Sequence, residues 1–154
     1  MTDRFWAKVL IINGDREVRS LIADLLGEAG FAVMTTSSFW DALDIVEKQQ
    51  FDLLVTDVQL PGELSGIDLV ICARARWPSV KALFISGKSE LALDDPDQDG
   101  SIAKPFHPTE VLGCALELML RQRPKRNSIC PRRAAAQAIV KANVEFLRRG
   151  TRAS

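Results

Sequence analysis

The sequence predicts an α/β fold: a five-stranded parallel sheet with helices on both faces. Short β-branched apolar runs such as Lys8-Val9-Leu10-Ile11-Ile12 recur along the chain, too brief for helices and apolar on both sides. Between them, apolar residues return every three or four positions, the period of a helix buried along one stripe. The junctions carry Gly, Ser, Asp or Pro, which end one period and start the next.

The elements follow in order. Lys8–Ile12 is the first strand. Asn13-Gly14-Asp15 turns the chain; Asn-Gly alone would suit a hairpin, but Val18, Leu21, Ile22, Leu25, Leu26 and Ala29 have helical spacing. Asp15 is the expected N-cap of that helix and Gly30 its stop. Phe31–Thr36 is a second strand, and Ser37 or Ser38 caps a helix through Trp40, Leu43 and Val46. Phe51–Thr56 is a third strand that ends at Asp57. After a loop marked by Pro61-Gly62 and Ser65-Gly66, Ile67–Arg76 is a helix closed by Trp77-Pro78. Val80–Ile85 is a fourth strand ending at Ser86-Gly87, and Ser101–Ala103 a short fifth one ending at Lys104-Pro105. Pro108 opens a helix through Val111, Leu112, Ala115, Leu118 and Met119.

One interval breaks the rhythm. Residues 88–100 hold Asp94, Asp95, Asp97 and Asp99 with Pro96 and Gly100, so the helix expected between strands four and five is cut to about two turns, followed by a solvated acidic loop. Past Arg121 the character changes again. Residues 123–131 read as a linker, and Arg132–Arg149 as an Ala-rich helix with an apolar stripe at Ala136, Val140, Val144 and Leu147. The chain thus divides into residues 1–122, a linker over 123–131 and a basic amphipathic tail over 132–154.

Charge follows that division. The chain carries 20 basic and 20 acidic side chains, but residues 1–120 hold 10 basic and 19 acidic, and residues 121–154 hold 10 basic and 1 acidic. The balance excludes a uniformly basic nucleic-acid binder and leaves the tail as the one basic segment. The 154 residues, 47% hydrophobic, suffice for a core without a metal or disulfide staple. Cys72, Cys114 and Cys130 form no CxxC pair, and His107 is the single histidine, so no Cys/His metal site is expected. No apolar run nears the roughly 18 residues of a membrane span. Met1-Thr2-Asp3-Arg4 lacks a secretory layout, so a reduced cytoplasm is the expected location.

Ligands of an open parallel sheet bind beyond the carboxyl ends of its strands. Asn13-Gly14-Asp15, Asp57, Ser86-Gly87 and Lys104 all fall there. A carboxylate that can accept a phosphoryl group, with a hydroxyl and an ammonium to hold its oxygens, is a phosphate-type constellation.

In that ordered set the chain from about Lys8 to Leu120 resembles the response regulator receiver domains. The matching pieces are Val9-Leu10-Ile11-Ile12, Leu53-Leu54-Val55-Thr56-Asp57, Leu60-Pro61-Gly62, Gly66, Ser86-Gly87 and Lys104-Pro105-Phe106. The resemblance implies a flavodoxin-like sheet in the order 2-1-3-4-5, with Asp57 as phosphoacceptor from a histidine kinase or phosphotransfer protein. It also implies Ser86 and Lys104 as phosphate-binding residues, and a Lys104-Pro105 bond of the kind usually cis in the family. Three departures stand out. The acid pair after strand one reads Asn13-Gly14, with only Asp15 acidic. Mg2+ would then rest weakly on Asp57, the Gln59 carbonyl and a displaced Asp15. The aromatic switch position is Ser101. The helix before strand five is short.

The expected function is therefore an atypical single-domain response regulator that works through protein contacts and not by turnover. A pseudo-receiver adaptor that never needs phosphate is the first alternative. A regulator binding nucleic acid through the tail is the second, weakened by the lack of an aromatic ladder. The tail is expected to dock on the acidic receiver near residues 94–99 or to self-associate with a second copy.

Overall fold

A computed structural model describes residues 7–87, 98–121 and 131–152. Five strands, β1 (Ala7–Ile12), β2 (Phe31–Thr36), β3 (Leu53–Asp57), β4 (Lys81–Ser86) and β5 (Asp99–Ala103), form one sheet in the order β2-β1-β3-β4-β5. All four pairings are parallel. Each connection must therefore cross the sheet, and the crossovers between β1 and β4 are α1 (Arg16–Glu28), α2 (Phe39–Lys48) and α3 (Gly66–Arg76). Helices α4 (Pro108–Leu120) and α5 (Pro131–Arg152) follow β5.

The sheet buries both faces, as its unbroken apolar strands require. On one side Val9, Ile11, Val55, Leu83 and Ile85 pack against α1 and α4 through Ile22, Leu26, Val111, Ala115 and Leu118. On the other, Leu10, Ile12, Leu54 and Phe84 pack against α2 and α3 through Leu43, Val46, Leu69 and Ala73.

The helix starts follow the expected chemistry. Asp15 accepts from the amides of Glu17 and Val18 at 3.0 and 3.3 Å. Ser38, not Ser37, caps α2, accepting from the Asp41 amide at 3.1 Å. Ser65 and Asp68 form a capping box on α3, and Pro108 occupies the first turn of α4 behind an N-cap at His107. Gly30 and Gly62 both have φ of 100°, where a Cβ is strained.

Four expectations change. β3 begins at Leu53, because Asp52 instead closes the foot of β1, accepting from the Lys8 amide at 2.8 Å. β5 begins at Asp99, and Asp99 is no loop residue: it is 4% exposed and ion-paired to buried Arg74 of α3. Burying that carboxylate costs less because the guanidinium neutralises it. Asn13-Gly14, which could have been a turn with positive φ at the glycine, is not one: Gly14 does not have a positive φ. The tail helix docks on α3 and α2: Val140 and Val144 are 8% and 5% exposed and join the α2–α3 side of the core. Arg148 pairs with Glu47 of α2 at 3.3 Å. Asp94, Asp95 and Asp97, the shortened helix expected near them, and residues 123–130 of the expected linker lie outside the described residues; Pro131, the last residue of that linker, belongs to α5.

Candidate functional site

The site lies where β1, β3, β4 and β5 end together. The register pairs Ile12 with Thr56 and Asp57 with Ile85, which sets Asn13, Asp57 and Ser86 at one edge. Lys104 follows β5, and its amide donates to the Ser86 carbonyl at 2.8 Å. The Lys104-Pro105 bond is cis.

Asp57 is buried, its side chain 8% exposed, with the Lys104 ammonium 3.0 Å from Oδ1. At that distance the ammonium serves the carboxylate both as a hydrogen-bond donor and as a counter-charge. Burial pushes the Asp57 carboxyl above its ordinary range; Lys104 pulls it back, and the Asp15 charge adds to the rise. Ser86, 7% exposed, stands on the neighbouring strand. A carboxylate, a hydroxyl and an ammonium are thus brought to one strand edge.

Gly66 explains how the next helix approaches so closely. A Cβ there would lie 2.1 Å from the Asp57 carbonyl oxygen, and the Gly66 amide donates to Val58 at 2.8 Å. Only glycine lets α3 start against the residue that carries the acid.

The β1 side is built differently. Asn13 is 2% exposed and its side chain accepts from the Asp15 amide at 2.8 Å. Arg19 donates to the Asn13 carbonyl at 2.7 Å, a clamp on the turn that no spacing rule announced. Gly14 is exposed, and a Cβ there would meet nothing within 4 Å. Asp15 is exposed, its Oδ1 is engaged as a helix cap, and its charge acts on Asp57. Gln59 is exposed in the loop beyond β3, and Ser101 is exposed on β5 with no ring to bury. No group of three or more His, Cys, Asp or Glu among the described residues is arranged to hold a metal. Mg2+ fits this donor set only with water completing most of its octahedron.

Fold and site position are those of a doubly wound, flavodoxin-like domain that binds at the carboxyl end of its strands. The chain belongs to the response regulator receiver domain family, whose model matches residues 9–115. That family serves two-component signalling. The receiver protein CpdR of Brucella abortus (strain 2308) is 31% identical over 105 residues, covering 65% of this chain and 86% of CpdR. The cell cycle transcriptional regulator CtrA of Caulobacter vibrioides is 27% identical, over 79% of this chain but only 54% of CtrA. Among solved structures, the receiver domain of the hybrid histidine kinase CckA matches with a TM-score of 0.62 and 26% identity, over 73% of this chain and 98% of that domain. A receiver protein from Sinorhizobium medicae WSM419 matches with a TM-score of 0.67 at 23% identity, over 75% and 96%, and speaks for the fold alone. Both coverages leave out part of this chain.

Proposed function

We propose that this chain is an atypical response regulator in which Asp57 accepts a phosphoryl group from a phosphohistidine. The observation that carries this reading is the buried Asp57 with Lys104 at 3.0 Å, on the strand edge it shares with Ser86. An Asp57 carboxylate oxygen forms the new P–O bond while the donor's P–N bond breaks, and the imidazole leaves with the electron pair and takes up a proton. Lys104 moves from the free carboxylate to the phosphoryl oxygens, and the Ser86 hydroxyl donates to them. The partner is a histidine kinase or phosphotransfer protein, the location is the cytoplasm, and the output is a protein contact, with no turnover.

Mg2+ would be held by Asp57, the Gln59 carbonyl and Asp15 once it leaves its cap, and would offset phosphoryl charge when bound. With Gly14 offering no side-chain oxygen, the affinity for Mg2+ is weak. The same vacancy of carboxylates favours the second reading, a pseudo-receiver adaptor that acts without phosphate. Acetyl phosphate labelling across a Mg2+ titration, resolved on a phosphate-affinity gel, separates the two. Slow labelling that needs millimolar Mg2+ and is abolished in Asp57→Asn supports phosphoacceptance. No label at any Mg2+ concentration supports the adaptor.

A further inference from the structure

Helix α5 has 22 residues and presents three flanks. Val140, Val144 and Leu147 seat it on the α2–α3 side of the core. To one side of that seat, Arg148 pairs with Glu47 of α2 and lies 5.9 Å from the Trp40 ring centre. On the opposite flank stand Ile139 and Phe146, 64% and 76% exposed. Asn143 lies between them and Gly150 continues the row, both exposed. The positions 139, 143, 146 and 150 are spaced by four, three and four residues, the spacing of a two-stranded coiled-coil seam.

We infer that the chain dimerises through this seam, with α5 running parallel to α5 of a second copy. Ile139 and Phe146 each meet their counterpart in an apolar layer, and Asn143 between them meets the partner's Asn143. A lone asparagine at such a position fixes the register and limits the assembly to two strands, at some loss of affinity.

The place of the receiver sets the direction. Seat and seam are about 100° apart around the helix, and paired helix axes lie about 8–10 Å apart. An antiparallel pair with its seams fully overlapped puts both receivers on the same side, where domains roughly 30 Å across collide. A two-fold axis along the helices sends the receivers to opposite sides, where they clear each other.

Charge selects a second copy as the occupant. In the parallel pair Arg149, exposed and next to the seam on the side away from its own seat, faces the partner's receiver. Residues 1–120 of that receiver hold 19 acidic and 10 basic side chains. The partner's Glu63, which borders Leu147, is within the region Arg149 approaches. Lys141 and Arg148 lie on the far flank, so the seam lacks the row of cations that a nucleic acid or an anionic bilayer takes. The receiver already holds α5 as a helix, so pairing carries no cost of forming one. The seam from 139 to 152 is only about 20 Å long. It buries less than about 1,200 Å2 in total, which fits a reversible dimer of micromolar affinity.

Sedimentation equilibrium of the full chain from about 1 to 300 µM is the test, and a monomer–dimer equilibrium is expected. Phe146→Glu puts a carboxylate from each copy into the seam and should weaken the dimer by about tenfold or more. A Cβ at Gly150 meets nothing within 4 Å, so Gly150→Leu adds an apolar layer and should tighten the dimer about tenfold. Both positions are exposed, so hydrogen exchange at Val140 and Val144 in the dilute variants should show α5 still seated. Direction is read with Asn143→Cys in a chain whose three native cysteines are serine, which should form a disulfide-linked dimer with itself. Preferential linking of Asn143→Cys chains to Phe146→Cys chains in a mixture would overturn the parallel arrangement. A chain that is monomeric at every concentration, or a dimer that neither Phe146→Glu nor Gly150→Leu moves, overturns the proposal and leaves this flank of α5 to a partner of another kind.

Discussion

At Asp57, burial and charge act in opposite directions. The carboxyl is held above its ordinary range chiefly by burial, so the folded chain binds its proton more tightly than the unfolded chain does. Its contribution to stability is fully present below the ordinary carboxylate range and is lost as pH rises through the folded pKa. Ionised Asp57 is therefore a cost at neutral pH, and Asp57→Asn should stabilise the chain by about 1 kcal/mol. Paired urea melts at neutral and acidic pH check this: the gain should shrink as pH falls. Labelling needs the carboxylate, so its rate should drop on acidification at a higher pH than for an ordinary aspartate. Two glycines near the acid behave oppositely. Gly66→Ala puts a methyl group 2.1 Å from a backbone oxygen and should cost more than about 2 kcal/mol. Gly14→Asp meets open space and an ordinary backbone, so it should fold and bind Mg2+ more tightly by calorimetry. Unchanged affinity would mean that residue 14 does not face the metal position.

Among the elements, β5 and α5 show where local pattern stops being informative. The strand at Phe31–Thr36 was legible because its β-branched run stands between a glycine stop and a serine cap. The start of β5 was not, because four aspartates read as solvated loop. What buries Asp99 is Arg74, 25 residues earlier, and no periodicity links the two. Arg74→Met leaves that carboxylate buried and unpaired, and should cost about 3–5 kcal/mol; replacing both, with Asp99→Leu, should recover much of it. Thermal melts of the single and double variants check the difference. The tail stripe at Val140, Val144 and Leu147 was equally legible, but its dock was not. Charge opposition pointed to residues 94–99, whereas the outer surface of α2 and α3 is apolar, a property of two helices side by side that no single stripe reveals. Val144→Asp should free α5 at a cost of about 2–3 kcal/mol of docking. Arg148→Ala removes an exposed pair worth no more than about 1 kcal/mol. Hydrogen exchange of residues 137–150 should rank the two in that order.

For the whole molecule, the strand-edge positions of Asp57, Ser86 and Lys104 were legible because parallel strands deliver their ends to one rim. The clamp of Arg19 on Asn13 was not, since it depends on how α1 returns past the turn. The opposed charges of the first 120 residues and the tail have a testable consequence. If charge held α5 in place, salt would release it; the buried stripe predicts that α5 protection persists at about 0.5 M salt, where exposed pairs are screened. A DNA gel shift that is lost with the tail and steep in salt would instead favour the nucleic-acid reading. No helix among the described residues is long and apolar enough to cross a membrane.

The central claim is that Asp57 itself carries the phosphoryl group. Its most direct test uses phosphoramidate, a small donor whose P–N bond stands in for phosphohistidine, followed by borohydride reduction and peptide mass spectrometry. An aspartyl phosphate is reduced to homoserine, a free aspartate is not. Homoserine at position 57 in the wild-type chain, sharply reduced in Lys104→Ala, is the predicted result. Homoserine at any other aspartate, or none anywhere under conditions that label a receiver with an intact acid pair, would contradict it.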